Sequence, residues 1–315
     1  MRFFISDNTD AFFNLATEQY LLHNFSEDVL FLWRSHNTVV LGKHQNACAE
    51  ANYEYCKNND IKIARRLSGG GTVFHDLGNI NFTLIRNLKD GMSKAVDYRY
   101  LLEPIRTVLA NLNIETTYSK RDDLLLNELK ISGNAQHIHQ KGLRNLHHGT
   151  LLYDSDLKKL NTAIRSEGIY EGKSVPSNRS DVTNIREYHD YGVTEDFLKL
   201  FGNGLQTYFG ASNIPLNSNE SIEINHILMD KFIRESWILG YSPKYLHKRN
   251  FNFRGFEYQI EMEVQDGIIK RLDIKASLDT ALPLNYEKLV GTELEWDKIC
   301  TGYTEKDKLW LIKLF

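Results

Sequence analysis

The apolar positions of the chain follow two rhythms. Between Asp10 and Phe25, Phe12, Leu15, Ala16, Tyr20 and Leu22 recur at roughly helical spacing, and Asp10 can cap the first turn. A second amphipathic helix is predicted across "KAVDYRYLLEPIRTVLANLN", despite Pro104. "VLFLWR" and "TVVLGK" predict short buried strands joined by a polar Ser-His-Asn turn, and "NINFTLI" alternates Ile80, Phe82 and Leu84. "DDLLLNELKISGNAQ" predicts a hairpin, with Leu124 to Leu126 as one arm, Asn127-Glu128 as the turn and Leu129 to Ser132 as the return. "HHGTLLYD" adds a strand, and "DFLKLFGNGLQTYFG" a helical segment broken by glycines.

Beyond the polar stretch "NIPLNSNESIEINH" comes a helix through Phe232 and Trp237. After "GYSPKYLHKRN" the pattern changes. Phe256, Tyr258, Ile260, Met262 and Val264 alternate, the chain turns at Asp266-Gly267, and a second arm returns. Helical pieces follow around Leu289, Trp296 and Leu309. With no βαβ rhythm and no repeat, the pattern predicts an α+β fold. A mixed β-sheet flanked by helices forms a main domain over residues 1–245, followed by a small α/β accessory domain over 246–315.

Composition narrows this only a little. A chain of 315 residues suits one large unit and one smaller, and 42% hydrophobic with 25% charged residues excludes a disordered or fibrous chain. A net charge of -3 gives no case for a nucleic-acid partner. The start lacks the apolar core of a secretory signal, and no run approaches the roughly 18 apolar residues of a membrane span. Cys48, Cys56 and Cys300 are odd in number and lack CxxC spacing, so neither a disulfide framework nor a zinc knuckle is expected. A reducing cytoplasm fits best. His137, His139, His147 and His148 form the one histidine cluster, expected to be solvated surface because Cys or carboxylate partners are missing.

The chemistry gathers in two places. "ARRLSGGGTVFHDLGN" holds three consecutive glycines, costly to fix in one conformation. No Lys-Ser/Thr pair follows them as in a P-loop, and no GxGxxG is present. "IKIARR" and "TVFHD" read as two strands with the glycines as the bend between them. A tight turn is one explanation. The other is a loop lying against a ligand, its N–H groups facing an anion, with one of Arg65 and Arg66 supplying charge, since the two point to opposite faces. In "LKISGNAQ", Lys130 projects opposite Leu129 and Ile131, with small residues beside it and Arg121-Asp122-Asp123 on the partner arm. A lysine near an acidic pair and a separate arginine-glycine loop suit a carboxylate meeting a triphosphate.

At "RRLSGGGTVFHDLGN", "RDDLL", "KISGNAQ", "HHGTLL" and "SNRSDVTN" the chain resembles the lipoate-protein ligase family, relatives of biotin ligases and class II aminoacyl-tRNA synthetases. "ISDNTDAFFNLATEQYLL" and "FLWRSHNTVVLGKHQN" match its N-terminal portion, and the end of the chain resembles its accessory domain. The resemblance implies that ATP and lipoate give lipoyl-adenylate and pyrophosphate. The acyl group then passes to a lysine of a lipoyl domain, in an E2 subunit of a 2-oxoacid dehydrogenase or in the glycine cleavage H protein. It assigns Lys130 as the catalytic cation bridging carboxylate and α-phosphate. It places Arg66, Gly71, Thr72, Val73, Phe74, Asp123 and Lys130 at ATP. Arg66, Ser68, Gly69, Gly70, Gly71, His75, Asp76, Lys130 and His148 fall at lipoate. Asp123 would be the protein ligand of one Mg²⁺, and Arg179, Ser180 and Val182 would belong to a mobile adenylate-binding loop within "SEGIYEGKSVPSNRSDVTN". A cytoplasmic monomer is expected.

Two features depart from the pattern. Asp181 stands where a basic residue is often found, and the stretch from Gln136 to His147 is longer than in relatives. The rivals are an ATP-independent octanoyltransferase, which needs a cysteine thiolate that these motifs lack, a transferase using preformed lipoyl-adenylate, a biotin ligase and a non-catalytic sensor.

Overall fold

A computed structural model describes residues 1–88, 96–139, 143–164, 167–277 and 285–315. Its largest sheet has six strands in the order Asn134–His139, Arg144–Leu152, Asn79–Asn87, Val29–Trp33, Arg2–Ile5 and Ser212–Asn213. The first four alternate in direction, and Arg2–Ile5 runs parallel to both its neighbours. Side chains alternate across a strand, so the unbroken run "VLFLW" covers two buried faces. Phe31 and Trp33 pack with Leu15 and Ala16 of the helix Ala11–Asn24, whereas Leu30 and Leu32 pack with Leu102 and Ile105 of Tyr98–Asn111 and Phe201 of Thr194–Phe209. The fold is α+β, with a mixed sheet between helices.

Local signals set several boundaries. Asp10 accepts the N–H groups of Phe12 and Phe13, and Asp97 those of Arg99 and Tyr100. The second helix therefore starts at Tyr98, and Lys94 and Ala95 of its predicted span lie outside the described residues. Asn127 and Glu128 have φ of 49° and 66°, a left-handed pair that closes the predicted two-residue hairpin.

Three readings change. The helix Thr194–Phe209 is unbroken: Gly202 packs against the ends of Ile5, Leu32 and Phe3, and a Cβ at Gly204 would lie 2.5 Å from Val108 Cγ1. The arginine strand Lys62–Arg65 and the strand Val73–His75 are not neighbours. They flank Thr38–Leu41, one parallel and one antiparallel to it, so the glycine segment carries the chain from one edge of that small sheet to the other. His147 and His148 are buried in the long strand Arg144–Leu152 instead of solvated.

At the C-terminal end, Tyr245–Phe253, Phe256–Gln265 and Ile268–Ala276 form an antiparallel sheet with the turn at Asp266-Gly267. Its fourth strand, Ile169–Gly172, comes from far upstream and pairs with Tyr245 to Lys248. The chain end packs on the helix Tyr53–Asn58, with the Tyr53 and Phe315 rings stacked at 4.1 Å. One apolar cluster continues from Val39, Leu41 and Phe74 to Ile260, Met262 and Trp310.

Arg65 pins these parts together. Its fully buried guanidinium donates to the carbonyls of Gly42, Lys43, Gln45, Trp237 and Ile238, and to Ser242 Oγ. Burial pushes its pKa down to about 10, which leaves it a cation at neutral pH. Truncation strands several buried carbonyls at once. Arg65→Ala should lower the unfolding free energy by about 3–5 kcal/mol in urea titrations; a loss below about 1 kcal/mol contradicts the pinning role.

Candidate active site

Lys130 sits mid-strand in Leu129–Ser132, the return arm of the tight hairpin. Its backbone is bonded on the other side as well, donating to Asp181 O and accepting from Thr183 N. The side chain turns into a cleft, where Nζ lies 2.9 Å from Asp123 Oδ1. Only 23% of that side chain is exposed. Gly133 keeps the space open, since a Cβ there would lie 3.0 Å from the ammonium.

The cleft has two chambers, of about 270 and 120 Å³. The larger is walled by Leu15, Trp33, Val40, Gly70, Ala135 and His148. The smaller is lined by Phe74, Leu152, Leu160 and Ile164 on one side and Arg179, Ser180 and Val182 on the other. Lys130, Thr72, Val73 and Ser177 line both. Lys130 thus stands where the two chambers join, and the segment around Ser177 borders both.

Arg66, and not Arg65, faces the glycine loop. Its Nη2 donates to the carbonyls of Gly69 and Gly71, its Nη1 to Val40 O and its Nε to Ser68 Oγ. Nearly all its donors are spent on the loop, so it shapes the wall as much as it charges it. Burial lowers its pKa to about 10. Gly70 has φ of +85°, a left-handed conformation that disfavours any side chain. Behind the loop runs a buried chain of contacts. Ser68 Oγ meets His148 Nε2 at 2.6 Å, His148 Nδ1 meets Glu18 Oε1 at 2.9 Å, and Thr83 Oγ1 donates to the same carboxylate. Ser68 is fully buried, so this series holds the loop and exposes no nucleophile.

His75 lines the larger chamber, with burial and the nearby Arg66 pushing its pKa down to about 3, so the ring is neutral. Among the described residues its Nδ1 has no partner, and neither do Asn81 Nδ2 or both amide atoms of Asn134 on the same walls. Ser132 Oγ is similarly unpaired beside the smaller chamber. Buried polar atoms are ordinarily satisfied. Those on these walls are placed where a polar ligand can complete them.

Gly71, Thr72, Val73, Phe74 and Asp123 also line the chambers. Asp76 does not. Its two oxygens accept from Gly78 N and Asp156 N, and the carboxylate fixes the turn beyond the strand. Ser68 and Gly69 lie behind the wall as partners of Arg66. Sequence reasoning missed Gln45, Glu50, Ser177 and Glu18. Ser177 Oγ donates to Glu50 and accepts from Thr72 N and Gln45 Nε2, closing the segment over the cleft. No local pattern distinguishes these from ordinary polar residues.

Cys48 and Cys56 are buried thiols pushed up to about 11 and 12 by desolvation, and neither lines the chambers. Among the described residues no three His, Cys, Asp or Glu side chains converge as a metal group.

The buried relay makes a direct prediction. Glu18→Gln removes the charge that steadies His148, so Gly69–Gly71 should lose about 1.5–3 kcal/mol of protection in amide hydrogen exchange. Unchanged exchange there would show that the loop does not depend on the relay.

Residues 10–201 match the family of the lipoyl protein ligase A/B catalytic domain. A lipoate-protein ligase A of Blochmanniella floridana is 32% identical, covering 99% of this chain and 98% of its own. Lipoate–protein ligase 1 of Staphylococcus aureus is 34% identical over 86% of this chain and 83% of its own. Among solved structures, P. falciparum LipL1 in complex with lipoate superposes with a TM-score of 0.64 at 23% identity, over 100% of this chain and 97% of that one. A lipoate-protein ligase A bound with ATP gives 0.66 at 23% identity, over 76% and 98%. Matching most of its length to these relatives, with a lysine and an arginine-held glycine loop meeting in one cleft, the chain belongs to the lipoate-protein ligase family.

Proposed function

We infer that the chain is an ATP-dependent lipoate-protein ligase, which makes lipoyl-adenylate from free lipoate and passes the acyl group to a lysine of a lipoyl domain. The observation that carries this reading is the position of the Lys130 ammonium, lining both chambers at once. Lipoate lies in the larger chamber, its chain along the apolar wall and its carboxylate toward Lys130. The nucleotide takes the smaller, between Val73 and Phe74 on one side and Arg179, Ser180 and Val182 on the other.

In the first step a carboxylate oxygen bonds to the α-phosphorus and the bond to the bridging oxygen of pyrophosphate breaks. Charge gathers on the α-phosphoryl oxygens, where a fixed ammonium acts most strongly because water is excluded. Asp123 keeps Lys130 aimed at the junction before substrates arrive. Its Oδ2 has one weak contact, to Ser119 Oγ at 3.3 Å, and so retains capacity for a Mg²⁺ that takes most of its ligands from phosphate and water. Such an ion would neutralise phosphate charge. In the second step a neutral acceptor amine attacks the acyl carbon, AMP leaves with the bonding pair, and the amine gives up a proton.

The buried, high-pKa thiols offer no acyl-enzyme route, which disfavours the octanoyltransferase reading. Acceptors are lipoyl domains of 2-oxoacid dehydrogenase E2 subunits and the H protein. No described helix is long and apolar enough to cross a membrane. We place the enzyme in the cytoplasm as a monomer.

The deciding experiment is ATP–pyrophosphate exchange with and without free lipoate. Exchange should depend on lipoate and fall by at least about 10²–10³-fold in Lys130→Ala, with an unchanged thermal melt. Lipoate-independent exchange, or near-normal exchange in the variant, would remove the reading.

A further inference from the structure

Beside the cleft mouth, two lysines and three histidines from four segments gather, with no carboxylate among them in the described residues. His23 ends the first helix, and His137 and His139 lie on the edge strand Asn134–His139. Lys43 follows Thr38–Leu41, and Lys231 lies in the turn Leu228–Phe232. The rings of His23 and His139 are 4.4 Å apart. Lys231 Nζ sits 4.2 Å from the centroid of the Trp237 ring and donates to Gln19, while Lys43 Nζ lies 6.0 Å from Tyr241. Trp237 and Tyr241 are themselves 4.7 Å apart, and Tyr241 is 41% exposed. Asp230, the carboxylate next to Lys231 in sequence, pairs with Arg234. Burial, with Lys43 nearby, lowers the pKa of Lys231 to about 8 and that of His137 to about 4, so the His137 ring is neutral near pH 7 while Lys231 stays largely a cation.

Among the described residues neither Lys43 nor Lys231 is paired with a carboxylate, in a chain whose net charge is -3. The surface is also continuous with the cleft. Lys43 N donates to Ser68 O, His44 O accepts from the cleft residue Val175, and His137 lies two residues beyond Ala135 on the cleft wall. A protein presenting its lysine to the cleft must rest on surfaces bordering the mouth.

We propose that this basic and aromatic surface, formed by Lys43, Lys231, His23, His139 and Tyr241, docks an acidic face of the acceptor lipoyl domain beside its target lysine. The proposal rests on the ligase reading and adds where the acceptor sits and by which charge it is chosen. Opposite charge steers encounter and fixes register, and its effect weakens as salt screens it.

The test uses the full chain and a purified E2 lipoyl domain. ATP–pyrophosphate exchange reports activation alone, so its absence in the parent chain would defeat the ligase reading and not the surface. In the double variant Lys43→Glu/His139→Glu, exchange and melting temperature should be unchanged. The KM for the lipoyl domain should rise about tenfold with kcat kept, and the salt dependence of transfer should flatten or invert. Replacing acidic residues beside the acceptor lysine by Ser should raise KM for the parent chain but not for the variant. An unchanged acceptor KM overturns the proposal, as does transfer by the parent chain that ignores salt. Loss of single-stranded DNA binding in the variant, with the acceptor KM unchanged, would overturn it in favour of a nucleic acid.

Discussion

Two anions cannot be pressed to bonding distance in a water-poor cleft unless a cation already waits between them. Unit charges about 4 Å apart near a protein surface repel by about 4 kcal/mol, and more as water leaves. In the proposed reaction Lys130 is that cation, and the hairpin with its neighbours keeps the side chain at the junction of the chambers. The hairpin turn fixes the strand's register, and register decides which face the side chain takes. The bridge to Val182 holds the strand from its other edge. Asp123 supplies the counter-charge that a partly buried ammonium needs while the cleft is empty.

The walls around it divide into saturated and unsaturated parts. Arg65 and Arg66 are the most heavily bonded side chains near the glycine loop, and almost everything they donate to is backbone carbonyl. A guanidinium can span several carbonyls of an irregular loop where no ladder is available, so the loop is rigid without regular structure. The unpaired atoms of His75, Asn81, Asn134 and Ser132 lie on the chamber walls. Polar groups with unspent bonding capacity on so heavily bonded a frame can meet a ligand with little rearrangement.

Much of this was legible in the chain because it is encoded locally. Apolar alternation gave the strands, Asp10 the start of the first helix, and Asn127-Glu128 the turn that aims Lys130. The opposite directions of Arg65 and Arg66 follow from strand geometry alone. What was illegible depends on distant pairing. Nothing near "GGG" shows that Thr38–Leu41 lies between the two strands it joins. Asp76 looks like a site residue beside His75, yet its partners are backbone N–H groups from 2 to 80 positions away. Gln45, Glu50 and Ser177 meet across as many as 132 positions. The helix Thr194–Phe209 keeps its glycines where it packs closely, Gly202 on the ends of Ile5 and Leu32 and Gly204 on Val108, a tertiary reason that outweighs propensity.

The segment from Gly168 to Thr183 shows how the two ends of the molecule share one site. Read alone, its glycines, serines and asparagines describe a loose cover. In the fold it is held at three separated points. Ile169–Gly172 is a strand of the C-terminal sheet, Ser177 is bonded to Glu50, Gln45 and Thr72, and Val182 is bridged to Lys130. Each anchor shortens the free stretches between, and closing a shorter loop costs less entropy. The cover of the smaller chamber is thus a tether whose far end belongs to the C-terminal sheet. Among the described residues the last part of the chain contributes no side chain to either chamber, and it bears on the cleft by holding that far strand in place through the paired backbone of Tyr245 to Lys248.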